Sequence, residues 1–202
     1  LSDTLNLRSP TTTDWDRKIV ALLVQYTGVS DVNVLCAEQF KAKSRSLSAM
    51  TPYQLCSGDL KQFKLSGPER PVHVAFAVVE TTDAKAMLSR TSELLLEVVA
   101  VRTEMSDKGN APIDAMFLAI VDIVELSTHV LCAGVRERSL AQAAGFDARP
   151  ISDEVAMLAG GDAKHLVHLA PGQVSRKADF IPPITTAIEG GWKPPSLPPT
   201  TT

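Results

Sequence analysis

The sequence predicts an α/β fold in which a mixed β-sheet is flanked by helices within a single compact domain. Three observations carry that expectation. The run Ile113 to Ile123 is nearly continuous apolar sequence, as a central strand covered on both faces by helices requires. Val72 to Glu80 is rich in β-branched residues and follows a Gly67-Pro68 turn from the alternating segment Leu60 to Leu65, so the two read as a hairpin. Asp83 to Met105 carries Met87, Leu94, Val98, Val101 and Met105 on one helical stripe with no interior glycine or proline, and Gly109 closes it.

The other elements follow in order. Ser9-Pro10-Thr11-Thr12-Thr13 reads as a turn or linker, because proline disfavours helix before it and the threonines supply capping hydroxyls. Trp15, Ile19, Leu22, Leu23 and Tyr26 then share one helical face, with Gly28 placed to end that helix. A second helix is expected over Asp31 to Lys43. Ser48 and Thr51-Pro52 are helix-start signals within Leu47 to Ser57, and Gly58-Asp59 ends that segment. Past the central strand, Thr128 to Ala133 is a further strand, Arg136 to Ala144 a short helix ended by Gly145, and Val155 to Leu158 and Leu166 to Leu169 are short strands. Pro182-Pro183 opens a last helix through Ile188, stopped by Gly190-Gly191. The tail Lys193 to Thr202, with four prolines and three terminal threonines, is expected to be disordered or polyproline-like.

Composition narrows the function. The chain's 202 residues are 45% hydrophobic, enough to bury a core. Its 20 Lys+Arg against 23 Asp+Glu give a formal charge of -3, so no general field draws it to nucleic acid or an anionic membrane, and an anion site must be local. Cys36, Cys56 and Cys132 are odd in number and lack Cys-x-x-Cys spacing, which argues against a disulfide framework or structural zinc and suits a reducing cytoplasm. The longest apolar runs, Val72 to Val79 and Ala115 to Val121, are too short to span a bilayer. The opening Leu1 to Leu7 reads like the middle of a domain, so a longer parent protein is expected.

Chemistry concentrates in Gly172-Gln173-Val174-Ser175-Arg176-Lys177, where a hydroxyl and two adjacent cations follow a Pro-Gly turn. Arg offers a planar fork of donors and Lys a compact point charge, a pair suited to phosphate, although the same tripeptide is also a common solvated loop. Lys61, after Gly58-Asp59-Leu60, is a second candidate. Ligands of open α/β sheets gather at strand carboxyl ends, so Asp122 and the loops holding Lys61 and Arg176-Lys177 are expected to share one rim. Other constellations read more simply. His165 and His168 could share a metal on a helix, but their flanks favour a strand, on whose opposite faces they read as surface histidines; Asp122 with Glu125 is either an acid/base or Mg²⁺/Mn²⁺ pair or a capping Asp beside an exposed Glu. Gly160-Gly161-Asp162 is a turn, without the pattern of a phosphate loop.

Across nearly the whole chain, these residues resemble the manganese-dependent (family II) inorganic pyrophosphatases of the DHH phosphoesterase superfamily. The likeness rests on Leu1 to Thr13, then Phe40-Lys41-Ala42-Lys43-Ser44, Gly58-Asp59-Leu60-Lys61-Gln62-Phe63, Ile120-Val121-Asp122-Ile123, Val174-Ser175-Arg176-Lys177 and Pro182-Pro183, which occur in the family's order. The resemblance implies that residues 1–13 are the end of a catalytic DHH domain and its linker, 14–192 a C-terminal substrate-binding domain, and 193–202 a tail. It implies that Asp3 is a metal ligand and that Lys61, Ser175, Arg176 and Lys177 grip pyrophosphate. Mn²⁺, or Mg²⁺ or Co²⁺, would be held mainly by the N-terminal DHH domain of the parent, whose motifs are missing here, so the chain alone is expected to be inactive. A homodimer is compatible with the family; nucleic acid and membrane are not expected partners. The family's usual Ser-Arg-Lys-Lys-Gln run becomes Ser-Arg-Lys-Ala-Asp, with Ala178 and Asp179 at its end. That departure leaves short polyphosphate, the substrate of exopolyphosphatases sharing this domain, as an alternative. A regulatory or interaction module retaining the fold is the non-enzymatic one.

Overall fold

A computed structural model describes residues 1–109, 111–146 and 167–195, with no side-chain description for 167–169. Three helices come first: α1 (Asp14–Thr27), α2 (Val32–Ser48) and α3 (Pro52–Ser57). Each start is chemically marked. Thr13 and Asp16 form a reciprocal capping box on α1, the Asp31 carboxylate accepts from the Asn33 and Val34 amides of α2, and Thr51 with Gln54 repeats the box on α3. Gly28 ends α1 at φ 68°, a left-handed conformation that glycine adopts without steric cost.

The hairpin of β1 (Leu60–Leu65) and β2 (Val72–Thr81) follows, then α4 (Ala84–Leu88), α5 (Thr91–Lys108), β3 (Ala115–Asp122), β4 (Ser127–Cys132), α6 (Val135–Ala143) and β5 (Val167–Pro171). A π-helical turn, Arg176–Phe180, runs directly into α7 (Ile181–Glu189). The five strands lie in sequence order, β1-β2-β3-β4-β5. β2 and β3 are parallel, with Val74 opposite Ala115, and the other neighbours are antiparallel. β3 is therefore the middle strand, and Ala115 through Val121 are all buried, as the continuous apolar run predicts.

Strand alternation sends side chains to two cores. On one face Val74, Phe76, Phe117, Val121 and Val130 pack with Leu140 of α6 and with Phe180, Ile184 and Ile188 around α7. On the other, Ala75, Val79, Met116, Leu118 and Ile120 pack with Leu55 of α3, Met87 of α4 and Leu94, Val98 and Val101 of α5. Each large apolar side chain buried this way contributes about 1.5–3 kcal/mol. The rings of Phe76 and Phe180 stack at 5.3 Å, and Phe146 meets Phe180 edge-on at 5.7 Å, so the π-turn is pinned to β2. Fully buried Glu137 joins three elements: one oxygen accepts from Arg102 Nη1 of α5 at 2.5 Å and from the Met116 amide of β3 at 3.1 Å.

Several expectations need correction or lie outside the description. The single helix expected from Asp83 to Met105 is broken at Ser89 and Arg90, where the buried Thr91 hydroxyl donates to the Leu88 carbonyl at 2.6 Å instead of leaving the backbone ladder uninterrupted. The stripe itself holds across the break, with Met87, Leu94, Val98 and Val101 all buried. The segment expected to be a basic loop is a π-turn, because Phe180 must reach the core while Ser175 caps the chain. The strand at Val155 to Leu158, the turn at Gly160-Gly161-Asp162, His165 and the tail beyond Pro195 lie outside the described residues. The expected helical face of Trp15, Leu22, Leu23 and Tyr26 forms, yet no residue of α1 is buried.

Candidate functional site

The topology brings distant segments to one rim. β2, β3 and β5 all end there, and antiparallel β1 begins there, with Lys61 opposite Phe76. Gly172, at φ 73°, turns the chain after β5, its amide bonded to the Leu126 carbonyl at 2.9 Å. The Thr128 hydroxyl holds the Gln173 carbonyl at 2.5 Å. Ser175 then caps the π-turn by accepting from the Ala178 amide at 3.2 Å, which leaves its hydroxyl proton for another acceptor.

A cavity of about 290 Å³ opens at this rim, lined by Asp3, Asp59, Lys61, Glu80, Ser175, Arg176 and Lys177, among others. The site residues that the family resemblance implies, Asp3, Lys61, Ser175, Arg176 and Lys177, therefore line one space. Asp122 does not: its carboxylate accepts from the Val124 and Glu125 amides, both at 2.9 Å, closing the turn after β3. That is the capping reading of Asp122, and Glu125 is exposed beside it.

The cations differ in what they already hold. Arg176 Nη1 donates to the carbonyls of Asp59 at 2.7 Å and Phe76 at 3.2 Å, and Nη2 donates to the Asp59 carboxylate at 2.9 Å. Its side chain is only 11% exposed. Three of five guanidinium protons are thus committed to fixing the group across the start of β1, leaving two for a ligand. Lys61 and Lys177 are exposed and have no hydrogen bond or ion pair among the described residues. The lining holds Lys61, Arg176 and Lys177 against Asp3, Asp59 and Glu80, a formal balance of zero. Glu80 is offset further by Lys43 of α2, whose ammonium lies 2.6 Å away.

Sequence reasoning missed Asp59, Glu80 and the work of Asp179. Asp179 Oδ2 accepts from the Val174 and Ser175 amides at 2.9 and 2.8 Å, tying the front of the basic turn to its own fourth residue. The signal was present as the departure from Ser-Arg-Lys-Lys-Gln, and the structure gives it a role in shaping the turn. The N-terminal segment is anchored separately: Leu5 is 2% exposed in the core, and Arg8 Nη2 donates to the Ile123 carbonyl at 2.8 Å. These contacts carry Asp3 to the cavity. The cysteines are inert by burial, which pushes the Cys56 thiol up to about 12 and that of Cys132 well above its ordinary range. Among the described residues no three His, Cys, Asp or Glu side chains cluster as a metal site requires, so Asp3 stands as a single carboxylate.

Residues 37–187 match the DHHA2 domain family. The chain belongs to that family. This DHHA2 chain is 32% identical to the probable manganese-dependent inorganic pyrophosphatase of Deinococcus radiodurans, over 90% of its own length and 51% of the relative's. It is 30% identical to that of Lactobacillus helveticus, over 94% and 53%. A crystal structure of a Methanococcus jannaschii protein assigned to the family II inorganic pyrophosphatases superposes at a TM-score of 0.70, with 24% identity, covering 93% of this chain and 52% of that one. At that identity the likeness is one of fold. The DHHA2 chain spans about half the length of the curated relatives it matches. The resemblance carried by the sequence motifs and the mixed α/β fold are both borne out. Among the described residues no single helix is long and apolar enough to cross a membrane.

Proposed function

We propose that this chain is the substrate-gripping part of a manganese-dependent inorganic pyrophosphatase, which hydrolyses diphosphate to two phosphates. The observation that carries the reading is the convergence of Lys61, Arg176 and Lys177, from segments more than a hundred residues apart in sequence, on one cavity that also holds Asp3. Exposed Lys61 and Lys177 are point charges ready for phosphoryl oxygens, the Ser175 hydroxyl is a donor, and Arg176 offers its two uncommitted protons from a fixed position. Fixed cations of this kind neutralise charge that builds on the phosphoryl and leaving oxygens, and they need no reorganisation when the reaction occurs.

The described residues do not form a metal cage, so we assign the metal ions chiefly to the other half of the parent protein, with Asp3 as this chain's contribution. When bound, such ions supply Lewis-acid activation of a phosphoryl oxygen and of water. The neutral balance of the lining supports the same division, because Asp3, Asp59 and Glu80 discourage a bare polyanion and favour one that arrives with cations. The residue ranges 1–13, 14–192 and 193–202 are proposed as domain end with linker, substrate-binding domain and tail. A cytoplasmic location suits three free, buried cysteines.

The test is phosphate release from pyrophosphate with Mn²⁺, by the full-length parent and by the 202-residue chain. The parent should turn over and the chain alone should not; turnover by the chain alone would overturn the assignment. Ala178 and Asp179, standing where the family run has Lys and Gln, are the departure that leaves short polyphosphate as the second reading. Greater kcat/KM on tripolyphosphate than on pyrophosphate would select it.

A further inference from the structure

Helix α1 is an anomaly of packing. It is 14 residues long and none of them is buried. Trp15 is 69% exposed, Leu22 59%, Leu23 51% and Tyr26 88%. An apolar groove of about 270 Å³ lies between α1 and α2, lined by Val20, Leu23, Val24, Val29, Val32 and Leu35. Isolated helices of about this length are marginal in water, and their stability in proteins comes from packing an apolar face. A contiguous apolar surface of this kind marks an interaction site.

The comparisons indicate what covers it. The DHHA2 match begins at residue 37, inside α2, so α1 and the start of α2 lie outside the matched residues. Yet the pyrophosphatase relatives align with 94% of this chain, more than the domain alone occupies, while being about twice as long. The α1–α2 region is thus shared with proteins that carry further polypeptide. It also continues from the segment that places Asp3, Ser9 and Thr11 in the cavity, so a partner seated on α1 adjoins the site.

We propose that the α1–α2 groove is the docking face for the half of the polypeptide that the relatives carry and this chain does not. The inference rests on the pyrophosphatase reading, and the geometry it requires is intramolecular: Leu23, Tyr26 and Leu35 become buried against an apolar surface of that half. Helix α1 is then covered by the missing half, while its link to the sheet of this chain passes through α2 and the anchored Leu5 and Arg8.

Hydrogen exchange, which needs no activity, tests this on the 202-residue chain and on the full-length product of its gene. The α1 amides should exchange within roughly tenfold of unstructured rates in the chain and slow by about 100-fold or more in the full-length protein. Leu23→Asp should lower the Tm of the full-length protein by several degrees and leave that of the chain unchanged. Equal protection of α1 in both proteins would overturn the proposal. So would protection in the chain that rises with concentration and is lost in Leu23→Asp, which would make a second copy the occupant. A gene product with no further polypeptide would also overturn it. Slowed exchange in a full-length protein that fails to cleave pyrophosphate would instead keep the docking face and sink the pyrophosphatase reading.

Discussion

The two ends of the sheet carry similar charged side chains and use them differently. At the end where the β1–β2 hairpin turns, each acid is matched to a cation. Arg70 grips Asp114 through both terminal nitrogens, at 2.9 and 2.5 Å, and Lys193 pairs with Glu69. Asp114 is 3% exposed and also accepts from the His73 amide. At the opposite rim, Arg176 is held by Asp59, while Lys61 and Lys177 have no partner among the described residues. Satisfied charge at one end fixes the fold, and unsatisfied charge at the other is left for a ligand. Arg176 belongs to both categories, since its anchoring also aims it.

Substitutions can break this contrast. Arg70→Ala should have the largest effect, costing about 2 kcal/mol by leaving a buried carboxylate with only the His73 amide, discounted because Arg70 itself is half exposed. Urea unfolding measures it, and pyrophosphate affinity of the parent should stay within about twofold. The same end has a pH signature. Burial alone would raise the Asp114 pKa, but the bonds from Arg70 and the His73 amide outweigh it and the net shift is downward. The stabilisation is therefore complete above the unfolded carboxylate value of about 3.9 and is lost as the pH falls through the folded value. Arg70→Ala should weaken that acid-side loss.

Arg176→Ala should move both readouts, by about 1–2 kcal/mol in stability and a similar amount in pyrophosphate affinity, since it frees the Asp59 and Phe76 carbonyls as well as removing a donor fork. Arg176→Lys should recover charge without the fork and so restore little of either. Lys61→Ala and Lys177→Ala should each cost about 1 kcal/mol of affinity, roughly fivefold, with stability unchanged within about 0.5 kcal/mol. Equal loss of stability and affinity in either Lys variant would erase the distinction between the two ends. The smallest effect belongs to His129, which lies between them on β4 and is 9% exposed. Burial pushes its imidazole below the ordinary range, only partly opposed by Asp122. Stability should then be full above about pH 6.5 and decline as the pH falls toward the folded value, a slope that His129→Leu removes.

Much of this architecture was legible because it is written in local pattern. The apolar run of β3, the hairpin turn and the capping signals at Thr13, Asp31 and Thr51 each depend on neighbours in sequence. The break at Ser89 and Arg90 was not, because no glycine or proline marks it and the buried Thr91 hydroxyl supplies its reason only once the helices are packed. The site divided the same way. Lys61, Ser175, Arg176 and Lys177 announce themselves as donors, but the clasp of Asp59 on Arg176 spans 117 residues and exists only when the rim is assembled. The exposed face of α1 shows the converse limit, since an amphipathic pattern specifies a face to be covered without saying by what.

The π-turn at Arg176–Phe180 gives the chain an unusual sensitivity to length. Such a turn holds one more residue than an α-turn, so losing a single residue between Lys177 and Phe180 would let it relax into a helix continuous with α7. The rings and aliphatic side chains of Phe180, Ile184 and Ile188 would keep α7 seated. Every position before the deletion would instead rotate by about 100° around the helix axis, swinging the two basic residues off the cavity. An insertion or deletion of one residue here would thus silence the site without unfolding the protein, whereas a substitution of equal length keeps the two basic residues in register with the cavity.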